Sequence, residues 1–573
     1  MDRESVVTRL EEIAVLLEIA GANPFRVRAY HNGARVIEAL TDFSERLAAG
    51  TLGAVKGLGK GLIAHIDELR TTGMIAELET LRRDIPRGVV AMTQIPNVGP
   101  KRAHIFWKEL GLTSVPQLVT ACESHAVAAL PRMGEKIEAK ILQAIAARDA
   151  TKDFFLYPEA LAVAKNFVEA LRECPAVRDI AMAGSVRRHK EIVHDVDLVV
   201  GTADAAAVTR AFCALPQVAM VLGSGDTKTS VKSRDGLQID LRCVAKEIFP
   251  CALHHFTGSK EHNTALRARA QQRQLKLSEY GLFRVHDGQE TLLPCTSEAD
   301  IYRALDLQYI PPELREDRGE IERAEKNALP NLIVRENIQG VFHCHSTYSD
   351  GRATLREMAI GAKHRGWKYL GVSDHSQSAK YAHGLEIERV HAQLAEIEAL
   401  NAEPLGVKIF KGIEVDILKD GTLDYDDDLL ARFDFVIASI HTHFTMSSVD
   451  MTARICRALA HPAVRVLAHP SGRLLLSREA YAMEMETVLR TAGGHRVVVE
   501  INGNPRRADL DWRFGNVARE CGVQTMISPD AHTVGNLDNI DFGVGYARKG
   551  GWSAADVVNT WSLEKVEQWC RKK

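Results

Sequence analysis

The stretch Val341-Phe342-His343-Cys344-His345-Ser346-Thr347-Tyr348-Ser349-Asp350-Gly351 decides how the C-terminal part of the chain folds, since a short apolar run ends there in two histidines and a later carboxylate. Further apolar runs end in the same residue types, in the segments Ser373-Asp374-His375, Gly412-Ile413-Glu414, Ser439-Ile440-His441, Leu467-Ala468-His469 and Ser528-Pro529-Asp530-Ala531-His532. Because strands alternate with helical segments from residue 338 onward, the pattern predicts a barrel with these side chains on one rim.

Histidines and carboxylates that converge on the rim of a barrel predict a site for several metal ions. Clustered divalent ions most often serve phosphoester hydrolysis, which indicates a metallophosphoesterase. The alternative is that each histidine is a hydrogen-bonded structural residue, which is the more common role of a single histidine. The repetition of these residue types at successive strand ends favours the metal site.

The composition is that of a multidomain globular protein. The chain has 573 residues, of which 46% are hydrophobic and 26% are charged, and its formal net charge is −3. This charge excludes a global basic field, so contact with nucleic acid must come from local patches or backbone amides. The ten cysteines form no Cys-x-x-Cys pair, which disfavours a disulfide framework or a thiolate zinc site and indicates a reducing compartment.

The N-terminus has the spacing of an amphipathic helix, with Val6, Leu10, Ile13 and Leu17 on one face. It lacks the layout of a signal peptide, and no apolar run is long enough to span a membrane. We therefore expect a cytoplasmic protein that does not associate with membranes.

Three short motifs lie between predicted helices of the N-terminal region: Val55-Lys56-Gly57-Leu58-Gly59, Ile95-Pro96-Asn97-Val98-Gly99-Pro100-Lys101 and Leu130-Pro131-Arg132-Met133-Gly134. They resemble helix-hairpin-helix motifs, in which glycines let the backbone approach a phosphate of DNA and the amides of the next helix bind it. The residues expected at this contact are Gly57, Gly59, Gly99 and Lys101. The alternative is three ordinary helix–glycine–helix turns, since Asn97 and Arg132 stand where the motif usually has glycine.

The middle region places aspartates on two apolar strands. In His194-Asp195-Val196-Asp197-Leu198 the two aspartates share one face of a strand, and Leu237-Gln238-Ile239-Asp240-Leu241 adds a third on a strand that can pair beside it. Three such carboxylates can hold two magnesium ions, which suits nucleotidyl transfer to a 3′-hydroxyl. Upstream, Ala183-Gly184-Ser185-Val186-Arg187-Arg188 offers amides, a hydroxyl and a guanidinium to a triphosphate.

This order of Gly-Ser, Asp-x-Asp and a later strand aspartate resembles the DNA polymerase β-like nucleotidyltransferases. The segment His255-Phe256-Thr257-Gly258-Ser259-Lys260-Glu261-His262-Asn263 resembles the Tyr-Phe-Thr-Gly-Ser segment of family X DNA polymerases, which lies against the incoming sugar and base. Together with the C-terminal motifs, the whole chain resembles a bacterial or archaeal family X DNA polymerase with a polymerase-and-histidinol-phosphatase (PHP) domain.

The resemblance implies a multidomain α and α/β fold: a helical N-terminal region, an α+β nucleotidyltransferase palm with a thumb, and a distorted (β/α)7 PHP barrel. The expected boundaries are a small helical domain with a helix-hairpin-helix motif at 1–85, a second helical DNA-binding domain at 86–150, the palm at 151–245, the nucleotide-selection and thumb domain at 246–318, a linker at 319–337 and the PHP domain at 338–573.

The same resemblance implies gap filling in base excision repair by two-metal nucleotidyl transfer. Asp195, Asp197 and Asp240 would bind two Mg²⁺ or Mn²⁺ ions, with Asp240 placed to accept the proton of the primer hydroxyl. The residues expected at the incoming nucleotide are Gly184, Ser185, Arg188, Phe256, Gly258 and Asn263. Arg267 would contact the template strand. The expected partners are dNTPs and gapped or primed duplex DNA, bound by a monomer.

For the PHP domain the resemblance implies nine metal ligands, and every one has a matching residue. The expected sets are His343, His345, Glu414 and Asp530 for one ion, Asp350, His375 and His532 for a second, and Glu414, His441 and His469 for a third, with Glu414 shared. These mixed donors favour Mn²⁺ or Zn²⁺. The implied activity is that of a 3′–5′ exonuclease, with cleavage at abasic sites or processing of 3′ ends as a further activity.

Two alternatives stay open for the barrel: a structural or DNA-positioning module, or a phosphatase for a small ester such as histidinol phosphate. Three residues depart from the family pattern, namely His65 at the position of a Schiff-base lysine, His255 in place of tyrosine beside the sugar, and Lys260 in place of an acidic residue near the base. Because imidazole forms no imine, we expect weak or absent removal of 5′-deoxyribose phosphate by that route. We expect His255 to affect the exclusion of ribonucleotides.

Overall fold

The computed structural model describes residues 3–38, 40, 43–225 and 227–571. The chain divides into two compact units, Met1–Lys152 and Asp153–Lys573, and the division falls beside the predicted boundary after residue 150. Within the described ranges, none of the helices is long and apolar enough to cross a membrane.

The described part of the first unit is helical. Its helices are α1 Arg3–Ile19, α2 Pro24–Glu38, α3 Phe43–Ala49, α4 Lys60–Thr72, α5 Ala76–Asp84, α6 Arg87–Met92, α7 Pro100–Leu110, α8 Val115–Glu123 and α9 Gly134–Thr151. In α1 the side chains of Val6, Leu10, Ile13 and Leu17 are buried. The apolar spacing of the sequence therefore corresponds to the face that α1 packs into the core of this unit.

Each of the three glycine-containing motifs forms the turn before a helix. Gly57, Asn97 and Arg132 occupy the same position in the motif, and all three adopt the left-handed backbone conformation, with φ of 102°, 69° and 66°. Glycine adopts it freely, asparagine tolerates it and arginine does so at an energetic cost. The two residues that depart from the motif thus keep its backbone geometry. Gly59 and Gly99 then cap the N-termini of α4 and α7.

The second unit begins with the palm. Its elements are β1 Phe155–Leu156, α10 Tyr157–Arg172, β2 Asp179–Met182, α11 Gly184–Arg187, β3 Ile192–Val193, β4 Asp195–Gly201, α12 Ala205–Cys213, β5 Val218–Ser224, β6 Lys228–Ser233 and β7 Gln238–Val244. The main sheet has the order β2-β4-β7-β6-β5. Only β4 and β7 pair in parallel in this sheet, as far as its described residues extend, and they carry the three aspartates.

The thumb follows the palm. Its elements are α13 Phe249–Thr257, α14 Lys260–Gln272, β8 Leu275–Ser278, β9 Gly281–His286, β10 Gln289–Leu293, α15 Glu298–Ala304 and α16 Glu320–Glu325. Helix α16 lies in the segment that we predict as a linker, 319–337. Ile321 and Ala324 of this helix are buried in the same apolar cluster as Leu266 and Tyr302. This segment therefore packs onto the thumb core.

The C-terminal part forms a nearly closed barrel of seven parallel strands with helices around it, as predicted. Its elements are β11 Gly340–Cys344, α17 Leu355–His364, β12 Tyr369–Val372, α18 Ile387–Ala402, β13 Lys408–Asp416, α19 Asp427–Leu430, β14 Phe435–Ser439, α20 Ser448–Leu459, β15 Val464–Leu467, α21 Met485–His495, β16 Val498–Asn502, α22 Gly515–Glu520, β17 Thr525–Ser528, α23 Asn539–Lys549 and α24 Leu563–Arg571. The strands follow chain order, and a parallel bridge between Cys344 and Ala531 links the first strand to the segment just after the last.

Aromatic side chains pack together in the barrel below the predicted metal ligands. Phe342, Tyr369, Phe410 and Phe435 share one cluster and are each at most 2% exposed. Gly412 on β13 makes room for this packing, because a Cβ there would lie 2.2–2.6 Å from atoms of the Phe435 ring. The strand that carries Glu414 is thus seated directly on an aromatic core.

Replacing Gly412 with alanine is expected to destabilise the protein by about 1–3 kcal/mol, because the new methyl group overlaps the Phe435 ring. Gly494 in α21 is the matched control, since a Cβ there meets no atom within 4 Å. The control substitution should leave stability unchanged or raise it by up to about 1 kcal/mol, because alanine favours a helix. Urea-induced unfolding measures both, and equal effects would contradict the packing argument.

The palm meets the barrel at residues that follow the Gly-Ser motif. The ring of His189 lies against Gly545 of α23, where a Cβ would be 2.0 Å from a ring atom. Tyr157 stacks on the same imidazole with 4.1 Å between ring centroids, and its hydroxyl lies 3.0 Å from His189 Nε2. Burial lowers the pKa of His189 to about 4.

This buried imidazole predicts that stability depends on pH. Above about pH 6.5 His189 is neutral in both the folded and the unfolded chain, so its titration contributes nothing. Below that pH His189 is protonated in the unfolded chain, whereas in the folded chain it stays neutral down to about pH 4. Stability should therefore fall with falling pH, by up to about 1.4 kcal/mol per pH unit. Between about pH 7 and about pH 5, the free energy of unfolding should fall less steeply with falling pH in His189→Gln than in the wild type. Equal slopes for the two proteins would show that His189 does not cause the pH dependence.

Candidate active sites of the palm and the barrel

Two strands of the palm place three aspartates side by side. In the parallel ladder of β4 and β7 the Cα partner of Asp197 is Asp240, and Asp195 precedes Asp197 by two positions on the same face. Burial, followed by the charges of Asp195 and Asp240, raises the pKa of Asp197 to about 7. Carboxylates that repel one another in this way are suited to divalent cations.

Gly184 and Ser185 lie directly beside the aspartates. Gly184 has a φ of 58°, and a Cβ there would be 2.2 Å from Oδ2 of Asp197. Only glycine lets the backbone come this close to the carboxylate. The hydroxyl oxygen of Ser185 is buried and has no hydrogen-bond partner in the part of the chain that the structure describes. A buried hydroxyl of this kind is expected where a ligand completes its bonding.

The other residues predicted at the incoming nucleotide surround Gly258. A Cβ at Gly258 would lie 3.1 Å from Nη1 of Arg188, and this Nη1 donates to the carbonyl oxygen of Thr257. Nδ2 of Asn263 donates to the carbonyl oxygen of His255 over 2.7 Å. Oδ1 of Asn263 is buried without a hydrogen-bond partner among the described residues. It is therefore an acceptor that a bound nucleotide can satisfy.

Phe256 and Arg267 lie on α13 and α14, the helices on either side of Gly258. The guanidinium of Arg242 on β7 lies 4.7 Å from the centroid of the Phe256 ring. Nε of Arg267 donates to the carbonyl oxygen of Asn263 over 3.3 Å. Phe256 thus contacts the strand that carries Asp240. Arg267 hydrogen bonds to the preceding turn of α14, which carries Asn263.

Lys228 on β6 is a residue of the palm site that sequence reasoning missed. Its Nζ lies 2.6 Å from Oδ2 of Asp240, and Nε2 of Gln238 donates to Oδ1 of the same carboxylate over 3.0 Å. Burial raises the pKa of Asp240, but these bonds outweigh it and hold the pKa below its ordinary value. A lysine on a half-exposed strand carries no sequence signal. Only the antiparallel pairing of β6 with β7 brings it to the aspartate.

The rim of the barrel brings together all nine residues predicted as metal ligands. Their ligand atoms form four groups within which all atoms lie within 4.8 Å of one another: His345, Asp350, His375 and His532; His343, His469 and Asp530; His343, His345 and Glu414; His375, Glu414 and His441. Glu414 lies at the centre. Its oxygens come within 3.7 Å of a ring nitrogen of five histidines, His343, His345, His375, His441 and His469.

These groups differ in detail from the three sets expected from the sequence. His345 joins the group of Asp350, His375 and His532, whereas the sequence predicts it beside His343, Glu414 and Asp530. His469 falls with His343 rather than with His441. Neighbouring groups share residues, so the donors form one continuous cluster in which single histidines can bridge adjacent positions.

Several of the ligand atoms are not satisfied by hydrogen bonds to one another, which suits the binding of metal ions. Both ring nitrogens of His345 are buried and make no hydrogen bond to any described residue, and the same holds for Nε2 of His343 and Nδ1 of His375. His375 Nδ1 lies only 2.9 Å from Oε2 of Glu414, yet without the direction of a hydrogen bond. Close polar atoms that do not point at each other are expected where a cation belongs between them.

Glu500 is a second residue that sequence reasoning missed. It is buried on β16; Oε1 accepts from Nδ1 of His343, and Oε2 accepts from the backbone amide of His469 over 2.6 Å and from Nδ2 of Asn502 over 3.1 Å. It therefore orients two predicted ligands without being one itself. The signal that could have identified it is a single carboxylate inside the apolar strand Val497-Val498-Val499-Glu500-Ile501.

Two further aspartates support the rim from behind. Oδ1 of Asp416 accepts from Nδ1 of His441 over 2.5 Å, so it holds this ligand as Glu500 holds His343. Asp374 is fully buried and accepts from the backbone amide and hydroxyl of Ser346, each over 2.7 Å. Asp374 therefore fixes the loop that follows His345, although it stands next to His375 in the sequence.

Four residues of the cluster have the ionisation that suits cation binding. Despite burial, the surrounding histidines hold the pKa of Glu414 well below its ordinary value, and His343 does the same for Asp530. Burial lowers the pKa of His345 to about 3 and that of His469 to about 4. These four residues thus offer anionic oxygens and neutral nitrogens at neutral pH, which are the forms that coordinate metals. Despite burial, neighbouring carboxylates raise the pKa of His343 well above its ordinary value and those of His441 and His532 to about 9, so an ion that binds these three must displace protons.

Four family profiles match parts of the chain. Those described as "Helix-hairpin-helix domain" and "SAM-like Helix-hairpin-helix tandem" match residues 1–75 and 89–147. Those described as "DNA polymerase beta thumb" and "PHP domain" match residues 252–316 and 342–503. The helical region, the thumb and the barrel predicted from the sequence are thereby confirmed as domain types.

A protein of Bacillus subtilis (strain 168) named DNA polymerase/3′-5′ exonuclease PolX is 38% identical over 578 residues, which cover 100% of either chain. The chain belongs to the family X DNA polymerases with a PHP domain. This family X polymerase also matches smaller proteins named as probable phosphatases. One from Thermoanaerobacter sp. (strain X514) is 27% identical over 243 residues, 40% of this chain and 94% of its own. One from Caldicellulosiruptor saccharolyticus is 30% identical over 206 residues, 33% of this chain and 78% of its own.

In this family X polymerase, Glu500→Gln is expected to weaken metal binding at the barrel by about 10–100-fold, because His343 loses the carboxylate that orients it. Glu398→Gln is the matched control, since it makes the same chemical change in an exposed pair with Lys411. Titration of the metal-free protein with Mn²⁺, followed by calorimetry, measures both affinities. Equal affinities of the two variants would show that Glu500 does not support the site.

Proposed function

We propose that this family X polymerase fills gaps in DNA during base excision repair and trims 3′ ends with its PHP barrel. The observation that carries the proposal is the presence, in one chain, of two separate clusters of metal-binding residues: the three aspartates of the paired strands β4 and β7, and the nine residues of the barrel rim around Glu414. The full-length similarity to a protein named as both polymerase and 3′-5′ exonuclease supports assigning one activity to each cluster.

In the palm, Asp195, Asp197 and Asp240 would hold two ions, Mg²⁺ or Mn²⁺. When bound, such ions neutralise the triphosphate and make the primer 3′-hydroxyl easier to deprotonate. Asp240 would accept the proton of that hydroxyl. Lys228, 2.6 Å from its carboxylate, keeps Asp240 ionised and so able to serve as ligand and proton acceptor.

The incoming dNTP would lie between the Gly-Ser motif and the thumb. Gly184 lets the backbone lie against the carboxylate of Asp197, so that its amide would be close to the phosphates, and the unpartnered hydroxyl of Ser185 would donate to a phosphate oxygen. Arg188 would bind the triphosphate with its guanidinium. The sugar would contact Phe256 and Gly258, and Oδ1 of Asn263 would accept from the base.

Gapped or primed duplex DNA would be bound without regard to sequence. Gly57, Gly59 and Gly99 stand at turns before helices, and Lys101 is exposed on α7, so backbone amides and an ammonium can meet phosphates. Arg267 would contact the template strand. We further propose that the enzyme acts as a monomer in the cytoplasm.

In the barrel, up to three Mn²⁺ or Zn²⁺ ions would be held by His343, His345, Asp350, His375, Glu414, His441, His469, Asp530 and His532. When bound, these ions activate water and polarise the phosphodiester. Glu500 and Asp416 would orient His343 and His441. Cleavage at abasic sites is a further reaction of the same type that we assign to this site.

The second candidate for the barrel is a phosphatase for small esters, which the relatives named as probable phosphatases favour. A comparison of hydrolysis rates separates the candidates: a DNA exonuclease should cut a primed duplex from its 3′ end at metal concentrations at which histidinol phosphate stays intact. Faster turnover of histidinol phosphate than of the DNA end would reverse the assignment.

The decisive experiment follows extension and degradation of a gapped duplex by single variants. Asp195→Ala should lower extension at least about a hundredfold, more than the loss of an outer partner costs, and leave degradation intact. His343→Ala should have the opposite effect. Asp235→Ala, on the exposed turn between β6 and β7, and His461→Ala, on a partly exposed histidine outside the cluster, are the controls. Loss of both activities in either site variant would refute the assignment of two separate sites.

A further inference from the structure

The guanidinium of Arg188, which we assign to the triphosphate, is held by two groups of the thumb. Its Nε donates to Oε1 of Glu316 over 3.0 Å, and its Nη1 donates to the carbonyl oxygen of Thr257. Nη2 makes no hydrogen bond to another described residue of the chain. Two of the three guanidinium nitrogens are thus fixed, and the third is left for a ligand beside Gly258.

Glu316 is itself held from the barrel. Nζ of Lys549, at the end of α23, lies 2.6 Å from Oε1 of Glu316. The same Nζ donates to the carbonyl oxygen of Arg188 over 2.8 Å. Lys549 therefore contacts the arginine twice, once at its backbone and once through the carboxylate that binds its side chain.

These charges are shielded from solvent. The side chain of Lys549 is fully buried, and those of Glu316 and Arg188 are 9% and 13% exposed. A buried ion pair gains little net stability, but removal of one partner leaves the other uncompensated. Loss of the Lys549 charge would therefore change how firmly the Glu316 carboxylate holds Arg188. The three side chains act together for this reason.

The surrounding contacts place the same segment of the palm against the barrel. Lys190 lies 3.6 Å from the other oxygen of Glu316. The indole of Trp512 lies 4.8 Å from Nζ of Lys190 and 4.4 Å from Nζ of Lys549. His189 packs on Gly545 of the barrel. The consecutive residues Arg188, His189 and Lys190 therefore each contact the barrel, or Glu316, which Lys549 binds.

We propose that Lys549 of the PHP barrel is a positioning residue for DNA synthesis: through Glu316 it holds the Arg188 guanidinium in the orientation that binds the triphosphate of the incoming dNTP. This inference rests on the proposed polymerase function of the palm. The barrel then has a role in nucleotide binding that is independent of its own metal cluster.

A neighbouring ion pair provides the matched control. Nε of Arg548 lies 2.7 Å from Oε1 of Glu313, so it joins the same end of α23 to the thumb at nearly the same distance. Among the described residues, neither of these side chains hydrogen bonds to Arg188. If the pairs only attach the barrel, the loss of either should have the same effect on dNTP binding.

The test is steady-state insertion of dATP into a gapped duplex by full-length Lys549→Met, Glu316→Gln and Arg548→Met. The first two substitutions should raise the KM for dATP about tenfold with kcat changed less than about twofold, because an interaction used in binding is lost. Arg548→Met should change the KM less than about twofold. Exonuclease rate and thermal unfolding of each variant report whether the barrel and the whole chain are folded.

The double variant Lys549→Met/Glu316→Gln should raise the KM by less than the product of the two single effects, because the route through Glu316 is shared while the bond from Lys549 to the Arg188 carbonyl is not. An unchanged KM in Lys549→Met, equal effects of Lys549→Met and Arg548→Met, or a lower KM in Glu316→Gln would each overturn the inference while leaving the polymerase function intact. Absence of extension by the wild type would instead refute the proposed polymerase function, and with it this inference.

Discussion

Both clusters depend on strands that hold metal-binding groups close together although the groups do not satisfy one another. Asp197 pairs with Asp240 across a parallel ladder, and burial together with the charges of Asp195 and Asp240 raises the pKa of Asp197. In the barrel, five histidines surround Glu414 with several ring nitrogens left without hydrogen bonds. Such arrangements persist because strands packed on a dense core cannot relax, as at Gly412 against Phe435. The rest of the fold supplies the stiffness that keeps these ligands assembled before any ion binds.

The positions of many residues in both sites could be predicted from the sequence, because strand geometry restricts where a side chain can lie. Asp195 and Asp197, two positions apart on an apolar strand, must share a face, and residues such as His343 and Asp530 at the ends of parallel barrel strands must meet on one rim. Asn97 and Arg132 weakened the resemblance in the sequence, yet both adopt the left-handed conformation, which belongs to the motif rather than to the residue. The predictable part of each site thus follows from the geometry of a strand or of a parallel barrel, without knowledge of a particular side-chain partner.

Residues whose roles depend on distant partners could not be found in this way. Glu500 reaches His343 across 157 positions of the chain, and Lys228 reaches Asp240 only because β6 pairs with β7 in a particular register. The grouping of the barrel histidines depends on rotamers and distances that no spacing rule specifies. The charged segment 319–337 looked like a linker because its polarity is visible in the sequence, whereas the burial of Ile321 and Ala324 depends on the thumb that receives them.

The contact between His189 and Gly545 has a consequence for how the enzyme works at different salt concentrations. Attraction between the protein and the phosphates of DNA weakens as ions screen it, and so do exposed ion pairs. A ring seated where a methyl group would overlap it is held by steric fit, which ions do not screen. The palm and the barrel should therefore keep their relative orientation at ionic strengths that release DNA. Salt then lowers the affinity of the enzyme for DNA without changing the arrangement of its own domains.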